Sequence, residues 1–112
     1  MTDERRINAL LQAGLDDWIS LHDVVWEAME GDDSDESRRR TIRLLGQLFD
    51  DGLAVPGDLG ASGFEDWPGT PGTWLHRAWA ELERLGWNPM GAGFWLRLTE
   101  LGEREARERG LE

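Results

Sequence analysis

The chain has 112 residues, and its 23 acids against 12 arginines give a formal net charge of −11, with no lysine, tyrosine or cysteine. The length fits one domain able to bury a core without covalent staples, and the missing cysteines exclude disulfides, thiolate metal sites and thiol catalysis. The charge favours solubility and opposes polyanions and anionic membranes at long range. No apolar run approaches the ~20 residues that a membrane-spanning helix needs. The opening Met1-Thr2-Asp3-Glu4-Arg5-Arg6 lacks the apolar stretch of a signal peptide, so the expectation is a soluble cytoplasmic protein.

Ile7, Leu10, Leu11 and Leu15 recur at helical spacing, which predicts a first helix over 3–13 with Gly14 as its stop. Trp18-Ile19-Ser20 reads as a very short strand. Ser20 with Asp23 has capping-box-like spacing, and Val24, Val25, Ala28 and Met29 carry a second helix over 21–30. The polar stretch 31–35 reads as an exposed loop. A third helix is expected over 36–51, with Ile42, Leu45, Leu48 and Phe49 as its buried stripe and Gly52 as its end. Leu53-Ala54-Val55 starts a strand that Pro56-Gly57 is expected to break, leaving 57–72, rich in Gly, Pro, Asp and Ser, as a long loop. Thr70-Pro71 supplies an N-cap and a proline at the first helical position for a fourth helix over 71–85, closed by Gly86. Asn88-Pro89-Met90-Gly91 is a turn. Phe94, Leu96 and Leu98 alternate as one face of a strand, and Thr99 caps a last helix through about 109.

In this order the chain resembles a winged helix-turn-helix domain. Residues 39–53 are similar to a recognition helix running into the first wing strand. Phe94-Trp95-Leu96-Arg97-Leu98-Thr99-Glu100-Leu101-Gly102 is similar to the second wing strand and the closing helix. The resemblance covers roughly 3–56 and 93–109. It implies an α+β fold with a three-helix core and a small antiparallel sheet. Residues 57–92 form an insertion with an extra helix where such domains have a short wing tip. The whole chain, 1–112, is read as a single domain.

Catalytic chemistry finds little support. His22 and His76, the only histidines, sit in no metal-ligand pattern. Asp32-Asp33-Ser34-Asp35-Glu36 lacks the spacing of a calcium loop. The glycines of 57–63 are followed by no Lys-Ser/Thr, so they form no phosphate loop. No enzyme, metal or cofactor is expected, and two kinds of binding remain. Residues 37–49 hold four arginines and no acid, an island between acidic segments. Arg38, Arg39, Arg40 and Arg43, with Gln47, would meet phosphates and base edges if the third helix entered a major groove. The flanking Asp32, Asp33, Asp35, Glu36, Asp50 and Asp51 would oppose the phosphate backbone. The same arginines could instead neutralise neighbouring acids or meet an acidic partner.

The other unusual feature is seven tryptophans. Packing of the inserted helix is the expected role of Trp79 and of Trp18, with Trp26 flanking the core. Trp67, Trp74, Trp95 and Arg97 are candidates for a protein-binding surface, because Trp and Arg are favoured interface residues. Packing and a small-ligand pocket stand beside that reading. The leading expectation is a non-enzymatic protein-interaction module of adaptor, immunity or antitoxin type, by analogy alone. The alternative is a DNA-binding regulator using the arginine-rich helix.

Overall fold

A computed structural model describes residues 3–112. In chain order the elements are α1 (Asp3–Asp16), β1 (Ile19–Ser20), α2 (Leu21–Met29), α3 (Asp35–Asp50), β2 (Ala54–Gly60), β3 (Gly63–Asp66), α4 (Pro71–Arg84), β4 (Trp95–Leu98) and α5 (Glu100–Glu108). The fold is α+β, with one antiparallel sheet in the order β1-β4-β2-β3.

Helix boundaries follow local chemistry. The Ser20 hydroxyl accepts the Asp23 N–H (3.0 Å) at the start of α2. Ser34 and Ser37 cap α3 reciprocally, each hydroxyl accepting the other's backbone N–H. The Thr99 hydroxyl accepts the Gly102 N–H at the start of α5. Each such cap satisfies a backbone donor that has no partner inside its helix. Gly14 does not stop α1, which runs to Asp16. A Cβ at Gly14 would lie 2.6 Å from Leu98 Cγ, so this glycine marks close helix–strand packing and not a helix end.

The clearest departure from the sequence reading is the segment expected to be a loop from 57. β2 continues through Pro56-Gly57 to Gly60, turns at Ala61-Ser62 and returns as β3. Pro56 is tolerated because of where its missing N–H falls. Its carbonyl accepts the Trp67 N–H (2.9 Å), just beyond the last β2–β3 pair, Gly57↔Asp66. A strand residue directs its N–H and C=O to the same side, so the donor that proline lacks is needed by no ladder. Gly57 is equally specific, since a Cβ there would lie 2.4 Å from the Phe64 ring. A hairpin therefore comes first, and the extra helix follows it.

The buried core draws Ile7, Leu10 and Leu11 from α1, Val24 and Ala28 from α2, Leu44, Leu45 and Leu48 from α3, and Phe94, Leu96 and Leu98 from the β4 region. Phe94, Leu96 and Leu98 are buried while Trp95 and Arg97 are half-exposed, which is the alternation that the sequence predicts. α4 adds Ala78 and Leu82 and lies along α3: Trp74 meets Phe49 edge-on at 5.7 Å, and Leu75 closes over Gly46. Buried Arg6 ties α1 to the end of α2. It donates to the Glu27 carbonyl (3.1 Å) and pairs with Glu30 (2.9 Å). Among the described residues no helix is long and apolar enough to cross a membrane.

Candidate functional site

The arginine island is engaged largely within the chain. Arg38 makes a two-pronged pair with Asp33 (2.6 and 2.9 Å), and its guanidinium carbon lies 5.2 Å from the centre of the Trp87 ring. Arg40 donates to the Ala28 carbonyl (2.7 Å) and lies 3.8 Å from Glu36. Arg43 grips Asp3 with two hydrogen bonds (2.6 and 3.1 Å). These bonds hold the Asp33 and Asp3 carboxyls below the usual aspartate value and raise Arg38 and Arg43. Arg39 is exposed, and Gln47 is half-buried. The outer strip of α3 that remains open is Glu36, Arg39, Arg43, Gln47 and Asp50, a mixture of both signs.

The tryptophan candidates do not share one surface. Trp67, in the loop after β3, is only 5% exposed. Its indole donates to Asp58 (3.0 Å), its ring lies 4.7 Å from that of Phe94, and the Arg77 guanidinium covers it at 3.9 Å. Trp74 is half-buried against Phe49 and donates to the Pro68 carbonyl (3.1 Å). Trp95 and Arg97 project together from β4. Arg97 binds Asp66 through two hydrogen bonds (3.0 and 2.7 Å), which lowers the Asp66 carboxyl and raises Arg97. Conversely Trp18 and Trp79, expected in the core, are each 41% exposed. Trp18 leans on Phe64 (5.6 Å) at the open sheet face, and Trp79 meets Trp87 edge-on (5.3 Å).

The sequence reading missed a groove of about 460 Å³ between α2 and the turn that follows α4. One wall is α2, through His22, Val25, Trp26 and Met29. The opposite wall is Gly86, Trp87, Asn88 and Pro89, and Gly31 and Asp33 close one end. Trp26 is 64% exposed, and Met90, next to Pro89, is 77% exposed. A signal for this wall was present. Val24 and Ala28 already fill the buried face of the nine-residue α2, so Val25 and Trp26 exceed what one face can bury.

The groove is held by unusual backbone. Among the described residues the non-glycine positions with positive φ are Glu30 (51°), Trp87 (61°) and Met90 (47°). Glu30 caps α2 between the lining residues Met29 and Gly31, while Trp87 and Met90 bracket Asn88-Pro89. The left-handed region costs an L-residue about 1–2 kcal/mol, and such strain persists only where surrounding contacts enforce it. Here they do. The Trp87 N–H donates to the Leu82 carbonyl (2.9 Å), and its indole donates to Glu83 (3.2 Å). Arg38 then links the Trp87 ring to Asp33 across the groove's end. A residue read from the sequence as a candidate DNA contact thus braces an aromatic cleft.

The acids near this cleft are compensated only in part. Residues 21–37 hold seven acids and no lysine or arginine. Within them Glu30, Asp33 and Glu36 pair with arginines from α1 and α3. Asp23, Glu27, Asp32 and Asp35 make no ion pair among the described residues. No family model, curated protein or solved structure matches this chain, so the reading of the site stands on its own chemistry.

Proposed function

We propose that this chain is a non-enzymatic protein-interaction module on a winged-helix-like scaffold. The order α1-β1-α2-α3-β2 followed by β4-α5, with β4 lying between β1 and β2, supports the scaffold. The observation that carries the functional reading is the position of α4. It packs on the Gly46–Phe49 side of α3, which leaves open only the strip of mixed charge from Glu36 to Asp50 on the helix that a DNA reader would use. Specific DNA contact also needs arginines free to meet phosphates and base edges, and Arg38, Arg40 and Arg43 are engaged internally. The net charge of −11 adds long-range repulsion from any duplex. The aromatic groove between α2 and the turn after α4 offers instead what protein interfaces use: an apolar centre, an exposed tryptophan and acidic neighbours.

The test is binding to labelled mixed-sequence duplex DNA at low salt, where electrostatic association is strongest. The expected result is no saturable binding, and no change on Arg39→Ala. Saturable binding that weakens with salt and is lost on Arg39→Ala would replace this reading with that of a DNA-binding regulator.

A further inference from the structure

We infer that the groove between α2 and the 86–90 turn receives a basic segment of a partner protein, seated through one large apolar side chain with Lys or Arg on either flank. The inference rests on the protein-binding reading above and adds the place and the chemistry of the partner. Three observations carry it. The cleft is apolar and aromatic at its centre, where Trp26 stands opposite Trp87 and Pro89. Carboxylates that make no ion pair among the described residues adjoin its lining in sequence: exposed Asp32 sits between the lining residues Gly31 and Asp33, and exposed Asp23 follows His22. The backbone that shapes it is held in the left-handed region at Glu30, Trp87 and Met90, so the cleft is preformed and does not wait for the ligand to order it.

Charge selects among the occupants. A nucleic acid would bring phosphates to a rim of carboxylates. A second copy of this chain would bring a net charge of −11, and most of its arginines already pair with its own acids. A basic segment meets the rim with opposite charge while its apolar side chain fills the centre, the arrangement that gives a protein interface both orientation and affinity.

The test uses the full chain and defined synthetic peptides: a lysine- and arginine-flanked series with central Leu, Phe or Trp, the same series with glutamate flanks, and the same with a central glycine. Binding is followed by calorimetry, and its location by the indole N–H resonances. The basic apolar peptides should bind and shift Trp26 and Trp87. Glutamate flanks or a central glycine should each weaken binding by about tenfold or more, as should Trp26→Ala. Trp26 is 64% exposed, so Trp26→Ala should keep the thermal midpoint; Asp32→Lys, at an exposed position between the lining residues Gly31 and Asp33, supplies a second variant with the same expected loss. Equal binding by all series, no binding by any, shifts confined to Trp18 and Trp95, or concentration-dependent self-association that Trp26→Ala abolishes would each overturn the inference. The two readings fail differently. A partner still captured by Trp26→Ala but lost on Trp95→Ala would refute the groove and keep protein binding. Duplex binding lost on Arg39→Ala would refute both.

Discussion

Gly102→Ala should destabilise the protein although the same change is usually favourable inside a helix. Gly102 lies in the first turn of α5, pressed against the chain entering β2: a Cβ there would sit 1.9 Å from the Leu53 carbonyl oxygen and 2.9 Å from its carbon. That oxygen also accepts the Thr99 N–H (3.0 Å), and the Thr99 hydroxyl reaches the Gly52 carbonyl. Real Cβ contacts essentially never fall under 3.0 Å, so helix and strand must part by about 1 Å, a backbone shift of the kind that overpacking imposes at ~1–3 kcal/mol. The stretched Thr99–Leu53 hydrogen bond adds about 1 kcal/mol, and the helix propensity of alanine returns about 1 kcal/mol. The net loss is ~1–3 kcal/mol, or a fall of roughly 4–12 °C in thermal midpoint for a chain of this size. Gly72→Ala is the internal control. Gly72 is exposed in the first turn of α4 with nothing within 4 Å of a new Cβ, so it should gain a few tenths of a kcal/mol. Urea unfolding of the two variants side by side makes the comparison. If Gly102→Ala matches or exceeds the wild type as Gly72→Ala does, α5 is not docked on the entry to β2 as described.

Two further outcomes follow from the groove and the ion pairs. Met90→Gly should stabilise by about 0.5 kcal/mol, because it relieves a left-handed residue at ~1–2 kcal/mol while the looser unfolded chain takes back about 0.5–1; Met90 is 77% exposed and gives up no core contact. A lower stability in denaturant titration would refute the strain assigned to φ 47°. Asp3, Asp33 and Asp66 are held below the ordinary value of 3.8 by hydrogen bonds from Arg43, Arg38 and Arg97 respectively. A carboxyl whose pKa is lower when folded stabilises fully above pH 3.8 and loses that contribution as pH falls through its folded value. The three pairs are largely exposed, so the effect is modest. Wild type should lose more stability between neutral pH and pH 3 than the triple Asp→Asn variant, and parallel curves would count against the pairs.

The helices were legible because their signals are local. Hydrophobic spacing placed α1 through α4 within a few residues, the Thr99 cap placed α5, and Ser20 and Thr70-Pro71 marked where α2 and α4 begin. The β2–β3 hairpin was not legible. Pro56 and Gly57 look like punctuation in sequence, and only the register shows that the proline's missing donor falls past the end of one ladder while the glycine admits the Phe64 ring. The tryptophans mark the limit of local reading. Trp67 in Asp66-Trp67-Pro68-Gly69 has the neighbours of an exposed loop residue, yet Asp58, Arg77 and Phe94 enclose it from three other segments. Trp18 and Trp79 sit beside core positions but turn outward onto Phe64 and Trp87. The arginines show the same limit: Arg43 finds Asp3 in α1, and Arg38 finds the Trp87 ring beyond α4.

The position of β4 also sets when the fold can close. β4 lies between β1 and β2, pairing Ile19 with Leu96 and Ala54 with Leu98. Neither early strand has this neighbour until the chain has been made through its last strand. α1, α2 and α3 can meet through contacts close in sequence, but the sheet requires the slowest kind of closure, between segments far apart along the chain. During synthesis Phe94, Leu96 and Leu98 emerge last of the large core side chains in the sheet, and until then Gly14 has no Leu98 to receive. A chain stopped short of residue 98 should hold its helices loosely and expose the strand edges of β1 and β2, the state in which small β-containing proteins are most open to aggregation.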